Sequence, residues 1–238
     1  MTEPGRNVVI LSPHLDDGVF SLGAAAATWS RGGARVRVLT VLAGDPDSQV
    51  PAGPWDAASG SATAGEAAQR RRAEDRAACA ELGVEPVWLD HGDAQYGRGD
   101  DDPIWLEVLD AVGDTATVLA PGFPLSHPDH RWLADLAVDR RPAGWQLGLY
   151  MEQPYAVGLG RPGTRELPGT PGRLPVDPAW SVERAGLSSR RAKRRAIEAY
   201  TSQLPQLAAA RDGSWNDLRD AMRRMERQRG GEGVAWLD

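Results

Sequence analysis

The sequence predicts an α/β fold: a Rossmann-like, doubly wound and mostly parallel sheet with helices on both faces. Two observations predict it. Short apolar, β-branched runs alternate with helical patterns along most of the chain, and residues 7–43 read strand, helix, strand, which is a βαβ unit.

Each element follows from its own residues. Residues 7–11 (NVVIL) are a short run of the kind that forms a buried parallel strand, and Ser12-Pro13 ends it. A helix is expected from about Asp17, carrying Val19, Leu22, Ala26 and Trp29, until Gly32-Gly33 stops it. Residues 35–43 form a second strand, residues 65–82 a helix closed by Gly83, and residues 85–90 a third strand. A helix over 103–112, a strand over 117–120, a helix from near Pro128 toward Val138 and a strand over 145–151 continue the alternation. Helices over 188–202 and 216–229 complete the chain. Two long stretches rich in Gly and Pro, 44–64 and 155–180, are expected as functional loops on the ligand side of the sheet. No internal repeat or second domain is visible, so a single domain over residues 1–238 is expected.

Composition narrows the function. The net charge of −6 is spread along the chain, which argues against nucleic acid as a partner. Lys193 is the only lysine, and the arginine clusters within 70–76, 190–195 and 223–229 read as solvated helix faces. The single cysteine, Cys79, has no intrachain partner and falls inside a helical pattern, so a buried core thiol is expected. No N-terminal targeting pattern is present, and the longest apolar stretch, residues 22–29, is too short to span a bilayer. A soluble, cytoplasmic protein is expected, with oligomeric state left open. Among nine tryptophans, Trp55 and Trp180 lie in the long loops and are candidates to face a substrate, although most tryptophans are packing residues.

The chemistry concentrates at two strand ends. His14, Asp16 and Asp17 follow the first strand, where side chains project into the ligand crevice of such a sheet. An Asp at that place commonly caps the next helix, but two adjacent acids beside a histidine need a cation or proton to neutralise them. His127, Asp129 and His130 follow the fourth predicted strand. Together the two motifs offer a two-His, one-carboxylate set that suits hydrolytic Zn2+, and the same ligands serve Fe2+ or another divalent metal. His91 ends the third strand and is read equally as a substrate contact or a surface hydrogen-bonding residue.

The motifs Ser12-Pro13-His14-Leu15-Asp16-Asp17 and His127-Pro128-Asp129-His130, the helix from Arg71 through Leu82-Gly83, and Ala199-Tyr200-Thr201-Ser202-Gln203 together resemble the PIG-L/LmbE-like zinc-dependent N-deacetylase family, in order over about residues 7–205. That resemblance implies His14, Asp17 and His130 as metal ligands, Asp16 as general base, His127 as the group assisting at the tetrahedral intermediate, and Asp129 as the acid that orients it. Arg71 and Asp93 align with sugar-contacting positions, and a helix-surface Arg and a turn Asp fit them equally. The implied substrate is a small N-acylated amino sugar or sugar-containing natural-product or nucleotide-sugar intermediate. An amidase acting on a thiol conjugate, and a non-catalytic Rossmann-like binding module, are the rival readings. The chain departs from the family's common first motif at Leu15, where Pro is usual, and at Gly18, where Glu is usual; both departures bear on the substrate.

Overall fold

The run Val8-Val9-Ile10-Leu11 forms the centre of β1 (Asn7–Ser12), and all of these side chains are fully buried. The computed structural model describes residues 5–114, 116–159, 180–211 and 213–237. After β1 come α1 (Asp17–Arg31), β2 (Arg35–Thr40), α2 (Pro54–Ala58), α3 (Ala64–Leu82), β3 (Glu85–Trp88), α4 (Asp101–Val112), β4 (Ala116–Phe123), α5 (Pro128–Arg140) and β5 (Trp145–Met151). Then follow β6 (Trp180–Glu183), α6 (Leu187–Glu198), α7 (Leu204–Ala209), α8 (Trp215–Arg229) and β7 (Glu232–Trp236).

The strands form one seven-stranded sheet in the order β3-β2-β1-β4-β5-β7-β6. From β3 to β5 all pairings are parallel, while β7 runs antiparallel to both β5 and β6. Alternation along β1 divides the core. Val8 and Ile10 pack with Phe20 and Leu22 of α1, Ala78 and Leu82 of α3, and Ala192 and Ala196 of α6. Val9 and Leu11 pack on the opposite face with Ile104 and Val108 of α4 and Leu133 and Ala137 of α5. Helices therefore cover both faces, as a parallel sheet requires. Cys79 lies in the first of these clusters, buried as expected, and burial pushes its thiol pKa well up.

Several boundaries differ from the sequence expectation. The stretch 44–64 is not structureless: α2 forms inside it with Pro54 in its first turn, and Pro51 and Thr63 pair as an isolated bridge. Thr63 then caps α3 by accepting from the Glu66 N–H at 3.1 Å, and Gly83 ends that helix in the left-handed region at φ 72°, which glycine enters without steric cost. The helix expected over 188–202 stops at Glu198, and α7 follows. The edge strand β6 and its neighbour β7 were not predicted. Of the second predicted loop, residues 160–179 lie outside the described residues. Among the described residues no helix is long and apolar enough to cross a membrane.

Neighbours β1 and β4 are joined to the rest of the chain in opposite directions, so the strand order reverses between them. Open α/β sheets bind ligands at the carboxyl ends of the strands flanking such a point.

Candidate active site

The turn after β1 is held by Ser12. Its hydroxyl donates to the His14 carbonyl at 2.6 Å and accepts from the Gly18 N–H at 2.9 Å. Gly18 packs closely here: a Cβ would stand 3.1 Å from Ile10 Cγ2 and 3.2 Å from Val38 Cγ1, so a side chain pointing that way would have to displace the core. Asp16 occupies the N-cap position of α1 but makes no capping hydrogen bond, and its backbone is held at φ 147°, a region that L-residues rarely adopt. Such strain costs ~1–3 kcal/mol and persists only where the surroundings impose it. Asp16 is thus not a helix cap.

Asp17 begins α1, and its Oδ2 accepts from the backbone N–H of His14 at 3.1 Å. The same oxygen lies 3.2 Å from His14 Nδ1 and 3.1 Å from His130 Nε2. On the other side, His14 Nε2 lies 3.0 Å from Asp129 Oδ2. Asp129 also accepts from the Ala94 N–H at 3.2 Å and from Arg98. The Asp129 carboxylate thus engages His14 and Arg98, with its nearer oxygen 3.9 Å from His127 Nδ1. Its link to His127 runs through the backbone, because the Asp129 N–H donates to His127 Nδ1 at 3.2 Å.

His127 caps α5 and Pro128 occupies the first turn, a position that suits proline's fixed φ and missing N–H. His130, one turn into α5, is fully buried and lies 2.9 Å from Glu152 Oε2 through Nδ1. Its ring packs edge-on against Tyr155 at 4.9 Å. The structure therefore brings together His14, Asp16, Asp17, His127, Asp129 and His130 from the ends of β1 and β4, as the two motifs suggested.

Burial sets the proton affinities. Burial lowers the His14 pKa, but hydrogen bonds to Asp129 and Asp17 outweigh it and raise the value to about 9. For His130 burial is likewise outweighed, by the charge of the nearby Asp17 and the bond to Glu152, and its pKa stands at about 10. Asp17 is held far below the usual carboxylate range by His130 and His14 against the opposing effect of burial. Burial and the charge of Asp17 push Asp16 up to about 7, against the attraction of Arg71. His127 falls to about 4 through burial and its two histidine neighbours.

The donor set fits a divalent cation. His130 Nε2 is buried with no hydrogen-bond partner, although Asp17 Oδ2 stands 3.1 Å away. Two atoms bound tetrahedrally to one zinc at about 2.0–2.1 Å would lie roughly 3.3 Å apart, close to the separations of Asp17 Oδ2 from both rings. One ring nitrogen from each of His14, His127 and His130 also falls within a 4.8 Å cluster.

In front lies a cavity of about 370 Å3 lined by His14, Asp16, Arg71, Asp93, His127, Trp55, Tyr155 and Gln203 among others. Arg71 is buried, unlike its neighbours in the 70–76 cluster, and its guanidinium lies 3.7 Å from Asp56. Asp93 accepts from the backbone and side-chain nitrogens of Gln95 at 3.0 and 2.9 Å. Trp55 reaches the cavity and donates to Gln203 at 2.8 Å, whereas Trp180 packs against Phe123 at 6.2 Å and does not line it. His91 lies outside, 3.1 Å from Glu107. Sequence reasoning did not single out Glu152, Arg98, Gln95 or Tyr155.

The sheet order and the crevice define an α/β protein of LmbE-like fold. The profile of the PIG-L family, GlcNAc-PI de-N-acetylase, matches residues 9–140, more than half of the chain, and the chain belongs to that family. The crystal structure of the A40926 pseudoaglycone deacetylase Dbv21 is similar at TM-score 0.75 and 29% identity, over 96% of this chain and 95% of that one. The zinc-inhibited form of teicoplanin deacetylase Orf2 is similar at 0.72 and 26%, over 97% of each chain. The N,N'-diacetylchitobiose deacetylase of Pyrococcus horikoshii shares the fold at 0.61 and 19%, over 98% and 83%. No curated protein sequence matches significantly.

Proposed function

We propose that this protein is a zinc-dependent N-deacetylase that removes an acetyl or longer acyl group from an amino sugar carried on a larger natural product. The observation that carries the proposal is the adjacent pair Asp16 and Asp17. One acid is uncapped and strained with its pKa at about 7, and the other is strongly acidic and faces two histidines. Pairs whose environments push their proton affinities apart divide acid–base and charge-stabilising work between them. Asp17, His14 and His130 would hold the ion. A divalent cation there would acidify the attacking water and polarise the amide carbonyl.

The chain's own residues supply the rest. Asp16 lines the cavity and is poised near neutrality, so it takes the water's proton and returns it to the departing nitrogen. Because the Asp129 N–H donates to His127 Nδ1, the neutral imidazole carries its proton on Nε2. That N–H faces the cavity as a donor to the carbonyl oxygen as negative charge develops. Asp129 holds His14 through Nε2 and positions the turn that presents His127.

Cavity size and lining support the substrate class. At about 370 Å3 it lies near the small end of ligand sites, which suits one sugar ring with its acyl group and leaves the aglycone outside. Trp55, Tyr155 and Leu207 offer apolar surface to a ring face, while Arg71, Asp93, Gln95 and Gln203 offer partners to hydroxyls. Similar structures named as the deacetylase of the antimicrobial A40926 pseudoaglycone and as a deacetylase of the teicoplanin biosynthesis pathway favour an antimicrobial natural-product aglycone. The test is release of carboxylic acid from a panel of N-acyl amino-sugar conjugates, the A40926 pseudoaglycone among them, by the zinc-loaded protein, read by mass spectrometry. Asp16→Asn should lower turnover by roughly 100- to 10,000-fold while zinc content stays at wild type. Wild-type turnover in that variant, or no hydrolysis of any N-acyl amino sugar with zinc, iron or cobalt, would overturn the proposal.

A further inference from the structure

A cavity of about 550 Å3 lies away from the catalytic crevice, between α6 and α8. Its lining is unusual for a chain of net charge −6: seven cationic side chains face it against four carboxylates, an excess of three positive charges. Two of those carboxylates, Glu226 and Glu232, are engaged with the buried Lys193, and Asp220, which does not line the cavity, is shared by Arg219 at 3.7 Å and Arg223 at 3.3 Å. Arg191, Arg194 and Arg227 have no hydrogen-bond or ion-pair partner among the described residues. The Nε atoms of Arg219 and Arg223 are buried without a hydrogen bond, although Arg223 donates to Asp220 through a terminal nitrogen at 3.3 Å.

A solvated helix face does not bury guanidinium Nε atoms without a hydrogen bond, since each such N–H has lost water and gained no acceptor in return. The floor is different in kind. Ile197, Trp215 and Met222 provide apolar surface, and Leu187 stands 70% exposed at the rim. An arginine ring above an apolar floor is complementary to a molecule with an anionic head and an apolar body.

We propose that the cleft between α6 and α8 is a second binding site, for a single anionic amphiphile whose phosphate or carboxylate is held by the arginines while its chain lies on Trp215 and Met222. The arginine clusters of α6 and α8 thus form one site instead of two independent solvated faces. This site is separate from the deacetylation reaction and does not depend on it.

Calorimetric titration of the full-length, zinc-loaded protein tests this, with dodecyl phosphate below its micelle concentration, neutral dodecyl maltoside and inorganic phosphate as probes. The expected result is one dodecyl phosphate per chain, bound at least about tenfold more tightly than either comparison ligand. The double variant Arg194→Gln/Arg223→Gln should lose about tenfold or more of that affinity with an unchanged melting temperature. Equal binding of dodecyl maltoside, tighter binding of inorganic phosphate, or an unaffected double variant would overturn the proposal. So would sedimentation in which the arginine variant abolishes a dimer, which assigns the cleft to a second copy. Flotation with anionic phospholipid vesicles, lost in the same variant, would assign it to a membrane surface instead and equally overturn it.

Discussion

Replacing Glu152 by Gln tests the site from behind. Glu152 is 1% exposed and holds two donors with separate oxygens: His130 Nδ1 lies 2.9 Å from Oε2, and the Leu125 N–H donates to Oε1 at 3.2 Å. An amide has one oxygen, so in Glu152→Gln one of these buried donors loses its acceptor and faces an NH2 group. Leaving a buried polar group unpaired costs ~1–3 kcal/mol. Losing the carboxylate also lowers the basicity of His130, and partners of metal-bound histidines are worth ~10- to 100-fold in metal affinity. Each tenfold step corresponds to about 1.4 kcal/mol, so the two estimates agree. Zinc affinity measured by competition with a chromogenic chelator should therefore fall by ~10- to 100-fold, and urea denaturation of the metal-free protein should register a loss of ~1–3 kcal/mol. Zinc affinity within about threefold of wild type would refute the role given to Glu152.

Three further outcomes follow from groups already placed. The folded pKa values of His14 and His130, about 9 and about 10, exceed the ordinary 6.5, so in the metal-free protein both rings carry protons at neutral pH and contribute stability. That stability is fully present below pH 6.5 and is lost as pH rises through 9 to 10. Zinc binding at neutral pH must displace the same protons, so calorimetry in buffers of differing ionisation enthalpy should find close to two released per ion; about half a proton or less would contradict the ligand assignment. Lys193→Met leaves the buried Glu232 and the partly buried Glu226 without their shared cation, which lies 2.5 Å from Glu232, and should destabilise the fold by ~3–5 kcal/mol in urea denaturation. A loss under about 1 kcal/mol would mean that the triad is not a linchpin between α6, α8 and β7.

Much of the site was legible because chemistry and topology coincide. The β-branched run of β1 identifies a central strand, and the rule that ligands gather at strand carboxyl ends picks out both histidine motifs without their geometry. Arg71 was readable too. The buried positions of α3, Ala67, Ala68, Arg71, Asp75, Ala78, Cys79 and Leu82, recur at helical spacing, and Arg71 falls on that stripe while Arg70 and Arg76 do not. Treating residues 70–76 as a block hid it from the periodicity, and only the family resemblance singled it out. Glu152 carried a weaker signal, a lone acid directly after the fifth strand, visible by the same carboxyl-end rule. Trp55 had only its place in a long loop, and Arg98 and Gln95 had no signal, since loop residues reach a site only through the tertiary path of the chain. The strands β6 and β7 escaped because each is short, 4 and 5 residues, and β7 starts directly after Gly230-Gly231. Their pairing is fixed by the edge that β5 offers, which no local pattern encodes.

The arrangement of acids explains why the protein tolerates a strained Asp16 at all. Asp17, Asp129 and Glu152 each face a histidine nitrogen, so every carboxylate around His14 and His130 except Asp16 is matched by an imidazole. Asp16 is left with Arg71 as its attractive cation and Asp17 as its repulsive neighbour, and burial tips the balance toward the protonated form. Had Asp16 turned to cap α1, the helix amides would have stabilised its charge and depressed its pKa. The backbone strain at φ 147° therefore has a chemical consequence: it withholds from Asp16 the stabilisation that an N-cap normally gives, and keeps the group basic enough to take a proton near neutral pH.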